Sequence, residues 1–331
     1  MKTNLVTAAL AATAAAFATI PAQAGSTADP AKLTTHKLSI GMFPALRPLA
    51  LVRAEHWLED AGYDVEWHEF INGIPPESAA MAAGSIDFGE ADTSGIEQVA
   101  ARSPGVMWYI ANGASNYVAL VARKESGIKS VADLKGHKVA GVSPNTAPTA
   151  VLQMALKQAN LTLKDIQGFA TSGPTEPAAL ERGAYDAAIT YVPYSAETLT
   201  AGTSILVKTA SDIYGKTWPG GGVIVRPDFA KAHPDVVVDL LRYVARAEAL
   251  LKDKPDEAYK ALAEGTKTSL ENVTYSYKNK LVEPTEILPD KDALKEQAGV
   301  LKQYGAIKVP DVSAFIDELV HPEFAAKVTG K

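Results

Sequence analysis

Two stretches of the sequence are nearly alike: Met81-Ala-Ala-Gly-Ser-Ile-Asp-Phe-Gly-Glu90 and Leu180-Glu-Arg-Gly-Ala-Tyr-Asp-Ala-Ala-Ile189. Each has the pattern of a helix end, a stopping glycine, an apolar residue, an aspartate and then a strand. Each predicted strand runs into a loop of small and polar residues, Glu90–Gly95 in one copy and Thr190–Ser195 in the other. A repeated αβ unit predicts two α/β lobes of like design, which could hold a small molecule between their strand ends.

The first 24 residues have the pattern of a secretory signal peptide. Met1-Lys2 supplies a positive start, an apolar Ala-rich run extends from Leu5 to Ile20, and Pro21-Ala-Gln-Ala24 fits a cleavage site. The alternative is a membrane anchor, but the run is shorter than the roughly 20 residues that a spanning helix needs. We therefore expect a protein exported to the periplasm, with a mature chain that begins at Gly25.

The composition excludes several classes of function. The sequence has no cysteine, which excludes thiolate metal sites, iron–sulfur clusters, thiol nucleophiles and a lipid-anchored lipoprotein. The formal net charge is −6, which argues against nucleic-acid binding. The six histidines do not cluster in the sequence, and no catalytic or cofactor-binding spacing is present. We expect no metal site, no cofactor and no enzymatic activity.

Strand and helix patterns alternate through most of the chain, with short links, as in parallel sheets covered by helices. The fold class is therefore α/β. We expect a discontinuous first lobe, residues 37–121 plus 223–331, and a second lobe, residues 122–222. The two crossovers between them could act as a hinge. The spacing also predicts one helix from Leu49 to Asp60, and Gly220-Gly-Gly222 indicates a flexible crossover.

Four segments, in this order, carry a family resemblance: Met81–Glu90, Val131–Val139, Gly183–Asp186 and Val223–Pro234. The chain resembles periplasmic solute-binding proteins of ABC importers, in the branch that binds taurine, alkanesulfonates, nitrate and thiamine precursors. Each motif is weak alone. Together they are specific for the superfamily, but they do not identify the ligand.

The resemblance implies the two-lobed periplasmic binding protein fold (type II), in which two lobes close on one small solute. It implies a membrane permease as partner. We also expect a monomer without enzymatic activity. It also implies that the pocket is built from loops at strand ends and crossovers, which here are Phe43–Arg47, Glu90–Ser94, Asn116-Tyr117, Ser143–Ala147, Thr190–Tyr194 and Thr217-Trp218.

Charged side chains in these loops suggest a site for both signs of charge. Arg47 could bind a sulfonate, carboxylate or phosphate with its guanidinium, or it could be a surface arginine that pairs with Glu55 or another neighbour. Glu90 and Asp92 suit a cationic group, such as an amine, a quaternary ammonium or a metal ion. Alternatively, Asp92 only caps a helix and Glu90 points to solvent.

Two helix starts could help to bind an anion through their backbone N–H groups. The first follows Asp92, where Thr93 or Ser94 could cap the helix. The second follows the Ser143-Pro-Asn-Thr146 loop, in which Ser143, Asn145 and Thr146 are candidates. Further candidates are Asn116 and a set of aromatic residues that could form walls or pack in the core: Phe43, Tyr117, Tyr191, Tyr194 and Trp218.

A pocket with an anionic and a cationic end predicts a small zwitterion, and taurine or a related amino-sulfonate is the first choice. The open alternatives are an alkanesulfonate, a nitrate-like anion, an aminopyrimidine thiamine precursor or a quaternary amine. Two alternatives belong to other classes. One is a lyase on the same fold with Glu90 as general acid or base, and the other is a sensor that docks to a receptor.

Overall fold

The structure is a computed structural model that describes residues 33–331 apart from residues 44, 72, 144, 145 and 172. The predicted signal peptide, residues 1–24, and Asn145 lie outside the described residues. None of the helices in the described ranges is long and apolar enough to cross a membrane.

The described part of the chain forms eleven strands. In chain order they are β1 Lys37–Met42, β2 Asp64–Glu69, β3 Phe88–Ala91, β4 Trp108–Asn116, β5 Val118–Arg123, β6 Lys138–Ala140, β7 Gln167–Phe169, β8 Ala187–Tyr191, β9 Ser204–Thr209, β10 Pro219–Val225 and β11 Val282–Glu283.

The same ranges form fifteen α-helices. They are α1 Pro48–Ala54, α2 Trp57–Asp60, α3 Ile74–Ala82, α4 Thr93–Arg102, α5 Ala147–Gln158, α6 Glu176–Glu181, α7 Tyr194–Thr200, α8 Ala210–Tyr214, α9 Pro227–Ala232, α10 Pro234–Asp253, α11 Pro255–Thr266, α12 Leu270–Lys278, α13 Lys291–Gln303, α14 Val312–Leu319 and α15 Glu323–Thr329.

The strands form two sheets, and each sheet defines a lobe. The first has the order β11-β4-β10-β3-β1-β2, and the second has the order β7-β6-β8-β5-β9. Strands β1, β2 and β3 are parallel, as are β6, β7 and β8, whereas β10 and β5 run antiparallel to their neighbours. Helices cover both sheets, so the predicted two-lobed α/β architecture is confirmed.

The chain changes sheets slightly earlier than the sequence predicts. Val118–Arg123 already belongs to the second sheet, and Pro219–Val225 belongs to the first. We therefore place the first crossover at Asn116–Val118 rather than at residue 121, and the second just before Pro219 rather than at residue 222.

Two local expectations are wrong. The helix predicted from Leu49 to Asp60 is broken into α1 and α2, because His56 has a φ of 53°, and a left-handed residue cannot continue a right-handed helix. Gly220–Gly222 are not a flexible crossover but lie inside strand β10, where their lack of side chains matters for the site described below.

The repeated stretches have equivalent roles in the two lobes. In the first copy, Asp87 accepts a hydrogen bond from the backbone N–H of Ser39 at 3.0 Å. In the second, Asp186 accepts one from the N–H of Lys138, also at 3.0 Å. Each aspartate thus anchors the end of one strand to the neighbouring parallel strand. Gly84 and Gly183, which stop the preceding helices, both have left-handed φ values, 76° and 72°.

Candidate functional site

The first-lobe half of the site lies at the ends of β1 and β3, where the parallel strands of this lobe point toward the second lobe. Arg47 directly precedes α1, and Glu90 lies near the end of β3. Their side chains are only 3% and 1% exposed. The alternatives in which Arg47 lies on the surface and Glu90 points to solvent are therefore wrong. Buried charges of this kind require partners, since desolvation of an ion is costly.

Arg47 packs its guanidinium over the ring of Tyr117, with 4.1 Å between Cζ and the ring centroid. Its Nε has no hydrogen-bond partner. Burial alone would lower the pKa of Arg47, but Tyr117 and the carboxylates of Glu90, Asp92 and Glu77 outweigh burial and raise it. Arg47 is therefore held as a cation, with one N–H directed at no described acceptor.

Glu90 is only partly satisfied by the protein. Its Oε2 accepts the backbone N–H of Leu49 at 3.2 Å, whereas its Oε1 has no partner. Burial raises the pKa of Glu90 to about 8, against the opposing effect of Arg47. The Glu90 carboxyl group therefore needs either a hydrogen-bond donor at Oε1 or a proton.

Glycines make the space in which these two side chains lie. A Cβ on Gly113 would be 2.6 Å from Oε1 of Glu90, and a Cβ on Gly221 would be 3.1 Å from Nε of Arg47. Both glycines belong to neighbouring strands, β4 and β10. We call Gly113 and Gly221 the glycine floor of the site.

Glu77 is a site residue that the sequence reasoning missed. It lies in the first turn of α3 and is fully buried, and the backbone N–H of Glu90 is close enough to its carboxylate to act on its pKa. Burial raises its pKa to about 8, although Arg47 acts to lower it. Gly41 and Gly89, which pair across β1 and β3, leave the space for its side chain. A Cβ on Gly89 would be 2.2 Å from Oε1 of Glu77.

Asp92 has the capping role that the sequence offered as an alternative. Its Oδ1 accepts the backbone N–H of Gly95 at 2.7 Å at the start of α4. The expectation that Thr93 or Ser94 caps this helix is therefore wrong, although both are buried. Burial raises the pKa of Asp92, opposed by Arg47. The N–H of Gly95, one of the groups expected here to bind an anion, is thus already bonded to a carboxylate of the protein.

Helix α4 also carries Glu97, a second carboxylate absent from the sequence-based set. It is 1% exposed and has no partner on either oxygen. Burial, followed by the charge of Asp92, raises its pKa well above the usual range. Thr93 and Glu97 are four residues apart and therefore share one face of the helix.

The second lobe contributes the start of α5. Thr146 is the N-cap residue and makes no side-chain cap hydrogen bond. Its hydroxyl donates instead to the carbonyl of Ser143, and Thr149 does the same at 2.7 Å. Ala147 and Ala150 belong to one buried cluster with Ile96 of α4. The first turn of α5 therefore packs against the first lobe.

Tyrosines lie between the two halves. The rings of Tyr117 and Tyr191 are 6.3 Å apart, and burial raises the pKa of Tyr191 well above the usual range, with Asp92 adding to the effect. Tyr194 is half-buried beyond a cis Val192–Pro193 peptide bond. Phe43 is half-buried and packs against the main core.

Asn116 and Trp218 belong to the crossovers. Asn116 has a φ of 71° and Tyr117 a φ of 83°. The Asn116 side chain donates to the carbonyl of Lys280 and accepts the N–H of Ser211 at 3.0 Å. Trp218 is 1% exposed within the core of the second lobe. Both residues thus have structural contacts at the hinge and in the core, and their predicted contact with a ligand stays a prediction.

The arrangement matches known structures along nearly the whole chain. The periplasmic aliphatic sulphonate binding protein SsuA from Escherichia coli superimposes with a TM-score of 0.73 at 22% identity, covering 87% of this chain and 93% of that one. The match shows that the chain has the two-lobed periplasmic binding protein fold.

Sequence comparison identifies the family. Residues 44–258 match the family described as NMT1/THI5 like, and because this covers more than half of the chain, the chain belongs to that family. A Bacillus subtilis protein named as an aliphatic sulfonates-binding protein is 29% identical over 303 residues, 88% of this chain and 87% of that protein. The taurine-binding periplasmic protein of Escherichia coli is 26% identical over 214 residues, 63% of this chain and 64% of that protein. These relatives are named as binding proteins, not enzymes.

Proposed function

We propose that the protein is the periplasmic solute-binding component of an ABC importer. It captures a small zwitterionic amino-sulfonate, with taurine as the first choice, and delivers it to the permease in the inner membrane. The names of the relatives support a sulfonate, and the exported two-lobed architecture predicted from the sequence supports capture between lobes. The choice of a zwitterion among sulfonates rests on the presence of both a basic residue, Arg47, and acidic residues such as Glu90 at the site.

The observation that carries the proposal is the burial of Arg47 together with Glu90 between the lobes. Each has one polar atom without a partner, Nε and Oε1 respectively. A sulfonate accepts hydrogen bonds from a guanidinium, and an ammonium donates them to a carboxylate. A zwitterion with both groups satisfies both atoms, and selectivity follows because a ligand lacking either group leaves a buried atom unpaired.

The second lobe completes the anionic end. The 12-residue helix α5 begins at Ala147, and its first turn packs against the first lobe. A helix start favours a negative charge through the helix dipole. A sulfonate held by Arg47 and α5 together contacts both lobes, so its binding stabilises their closed arrangement.

A thermal-shift screen tests this function. The panel is taurine, ethanesulfonate, nitrate, a betaine and an aminopyrimidine, and ligands that bind only the folded protein raise the unfolding midpoint. We expect the largest shift with taurine. Arg47→Ala should abolish the shift for every sulfonate, whereas Arg53→Ala, in the same helix region but paired with Glu69 at 2.6 Å, should retain it. A shift for a neutral ring or a simple cation, with none for any sulfonate, would contradict the proposal.

A further inference from the structure

One buried carboxyl group of the first lobe has no part in the proposed contacts with the solute. Glu97 lies in helix α4 and is 1% exposed. Neither of its carboxylate oxygens has a hydrogen-bond partner in the part of the chain that the structure describes. An ionised carboxylate in such a place loses its hydration without compensation, whereas a neutral carboxylic acid loses much less. The arrangement of the lobes in this structure therefore favours the protonated form of Glu97.

The titratable groups around Glu97 do not offset this preference. Burial and then the charge of Asp92, on the same helix, both raise the pKa of Glu97. Tyr109 of β4 and Tyr214 of α8 lie close enough to feel its charge, and a tyrosine is neutral near pH 7. Other charged groups on α4 and on the elements around it have partners of their own: Arg102 with the carbonyl of Gln98, Glu77 with the charge of Arg47, Asp212 with Thr209, Lys216 with Glu296, and Lys291 and Lys295 with Asp317.

The second lobe contributes to the surroundings of Glu97. Tyr214 belongs to α8 of that lobe, and its pKa is raised by burial, by Glu296 and, to a smaller extent, by the charge of Glu97. Ala147 and Ala150 of α5 belong to the same buried cluster as Ile96, the residue that precedes Glu97. Helices α5 and α8 move with the second lobe, so separation of the lobes opens this side of α4 to water.

We propose that Glu97 is a proton-linked switch of lobe closure: it takes up one proton from the solvent when the lobes close and releases it when they open. In the open arrangement water hydrates the carboxylate, which is then ionised near pH 7. Because the closed arrangement binds one more proton, a lower pH favours closure, and the affinity for a captured solute falls as pH rises. The inference rests on capture between the lobes, as in the proposed function, but not on which solute is captured.

The test is calorimetric titration of the whole protein at pH 7.2 with ethanesulfonate, in bis-Tris and in Tris. Neither buffer contains a sulfonate or phosphate that could compete, and Tris absorbs more heat than bis-Tris when it releases a proton. Ethanesulfonate has no cationic group that could displace a proton from Glu90. A protein that takes up a proton on binding draws it from the buffer, so we expect a less exothermic titration in Tris.

The variant Glu97→Gln assigns the proton. Glutamine has nearly the shape of glutamate but cannot titrate, so the number of protons taken up on binding should be lower by about one than in the unmodified protein. This difference should be the same with taurine as with ethanesulfonate, because it belongs to closure. The fall in ethanesulfonate affinity between pH 6 and 8 should also be at least about tenfold smaller in the variant.

Glu248→Gln is the matched control. Glu248 is 3% exposed in α10, its Oε2 accepts the backbone N–H of Thr285 at 2.9 Å, and its Oε1 has no partner among the described residues. Burial raises its pKa well above the usual range. Its hydrogen bond lies within the first lobe, so its burial does not depend on closure. The replacement should therefore leave proton uptake on binding unchanged.

The outcomes separate this inference from the proposed function. Equal heats of ethanesulfonate binding in the two buffers, or an unchanged proton uptake in Glu97→Gln, would overturn the inference and leave the proposed function standing. The comparison of buffers needs no variant, so it decides the matter even if Glu97→Gln does not fold. If nitrate binds and no sulfonate does, the proposed function fails, and nitrate then replaces ethanesulfonate as the probe of proton uptake.

Discussion

At the scale of single residues, the site is defined by ionisable groups that are buried with incomplete hydrogen bonding. Glu77, Glu90 and Glu97 each have at least one carboxylate oxygen without a partner. A fold under selection for stability alone rarely retains such groups, because each costs free energy. Glu77 and Glu90 both feel the charge of the buried Arg47, and such clusters of perturbed groups are common at binding sites.

These carboxylates predict how stability depends on pH. Burial raises the pKa of Glu77 and of Glu90 to about 8, whereas both return to about 4.5 when the chain unfolds. Between these values the native state binds more protons than the unfolded state, so the free energy of unfolding falls as pH rises from about 5 to 8. We expect a lower unfolding midpoint at pH 8.5 than at pH 5.5 in the absence of ligand, measured by scanning calorimetry.

The variant Glu90→Gln isolates this effect, because glutamine cannot titrate. Its unfolding midpoint should change less between pH 5.5 and 8.5 than that of the unmodified protein. An equal or steeper decline in the variant would show that Glu90 does not titrate in this range.

Some of these residues could be predicted from sequence and others could not. Arg47 and Glu90 follow predicted strands, and strand ends in α/β lobes are where ligands bind. Glu77 follows two prolines at the start of a helix, where an acidic residue is ordinarily explained by the helix dipole. Only the packing of α3 on Gly41 and Gly89 shows that its side chain turns inward.

At the scale of secondary-structure elements, the glycine floor is what allows strands and charged side chains to approach. Gly220–Gly222 appear flexible in the sequence, since glycine runs are typical of loops. In the folded protein they are strand residues flanked by β3 and β4. A Cβ on Gly222 would lie 2.0 Å from the ring of Tyr109. Whether such a glycine run forms a loop or a strand depends on the strands beside it, and the local sequence does not show which strands these are.

The variant Gly113→Ala tests whether the glycine floor leaves the space that the Glu90 side chain needs. The new methyl group would lie 2.6 Å from Oε1 of Glu90, so the carboxylate must move. We expect the affinity for taurine to fall about tenfold or more, because a charge-assisted hydrogen bond is lost or misaligned. Calorimetric titration measures this change.

Gly299→Ala is the matched control, since Gly299 lies in α13 and has no atom within 4 Å of its added Cβ. It should raise the free energy of unfolding by up to about 1 kcal/mol, as alanine favours helices over glycine, and leave affinity unchanged. Unaltered taurine binding in Gly113→Ala would argue against Glu90 as a contact.

The crossovers form a second element-level feature. Asn116 joins both lobes, because its side chain bonds to Lys280 in the first and to Ser211 in the second. Its backbone N–H donates to Trp218 on the other crossover at 2.7 Å. The family resemblance implied a ligand loop at Asn116, and only the tertiary hydrogen bonds show its place at the hinge.

Replacement of Asn116 should therefore affect stability more than ligand preference. We expect Asn116→Ala to lower the free energy of unfolding by about 2–3 kcal/mol, through two lost hydrogen bonds and a left-handed alanine. Asn160→Ala is the control, because Asn160 is exposed and also left-handed, with a φ of 56°. It should cost only about 1 kcal/mol. Equal losses in denaturant titrations of the two variants would contradict the hinge role.

At the scale of the whole molecule, the repeat was predictable because it is local in sequence. Asp87 and Asp186 each anchor a neighbouring strand. Asp87 also pairs at 2.8 Å with Arg226, which directly follows β10. Asp186 pairs at 3.8 Å with Arg123, the last residue of β5. The equivalence explains why two short motifs were enough to predict two lobes of like design.

Contacts between the lobes were not predictable, because they join residues far apart in the chain. Thr200 of α7 donates to Asn272 of α12, and Tyr214 of α8 donates to Glu296 of α13 at 3.0 Å. Helices from the C-terminal part of the first lobe thus touch the second lobe on two sides. Nothing in the local patterns of these helices indicates which partner each one meets.

The central claim is that the two lobes capture a small zwitterion, with its anionic end on Arg47 and its cationic end on Glu90. The most direct test is calorimetric titration of the purified protein with taurine and with nitrate under the same conditions. The account predicts saturable one-to-one binding of taurine and much weaker binding of nitrate. No heat with taurine or any other zwitterion, together with clear binding of nitrate, would contradict it.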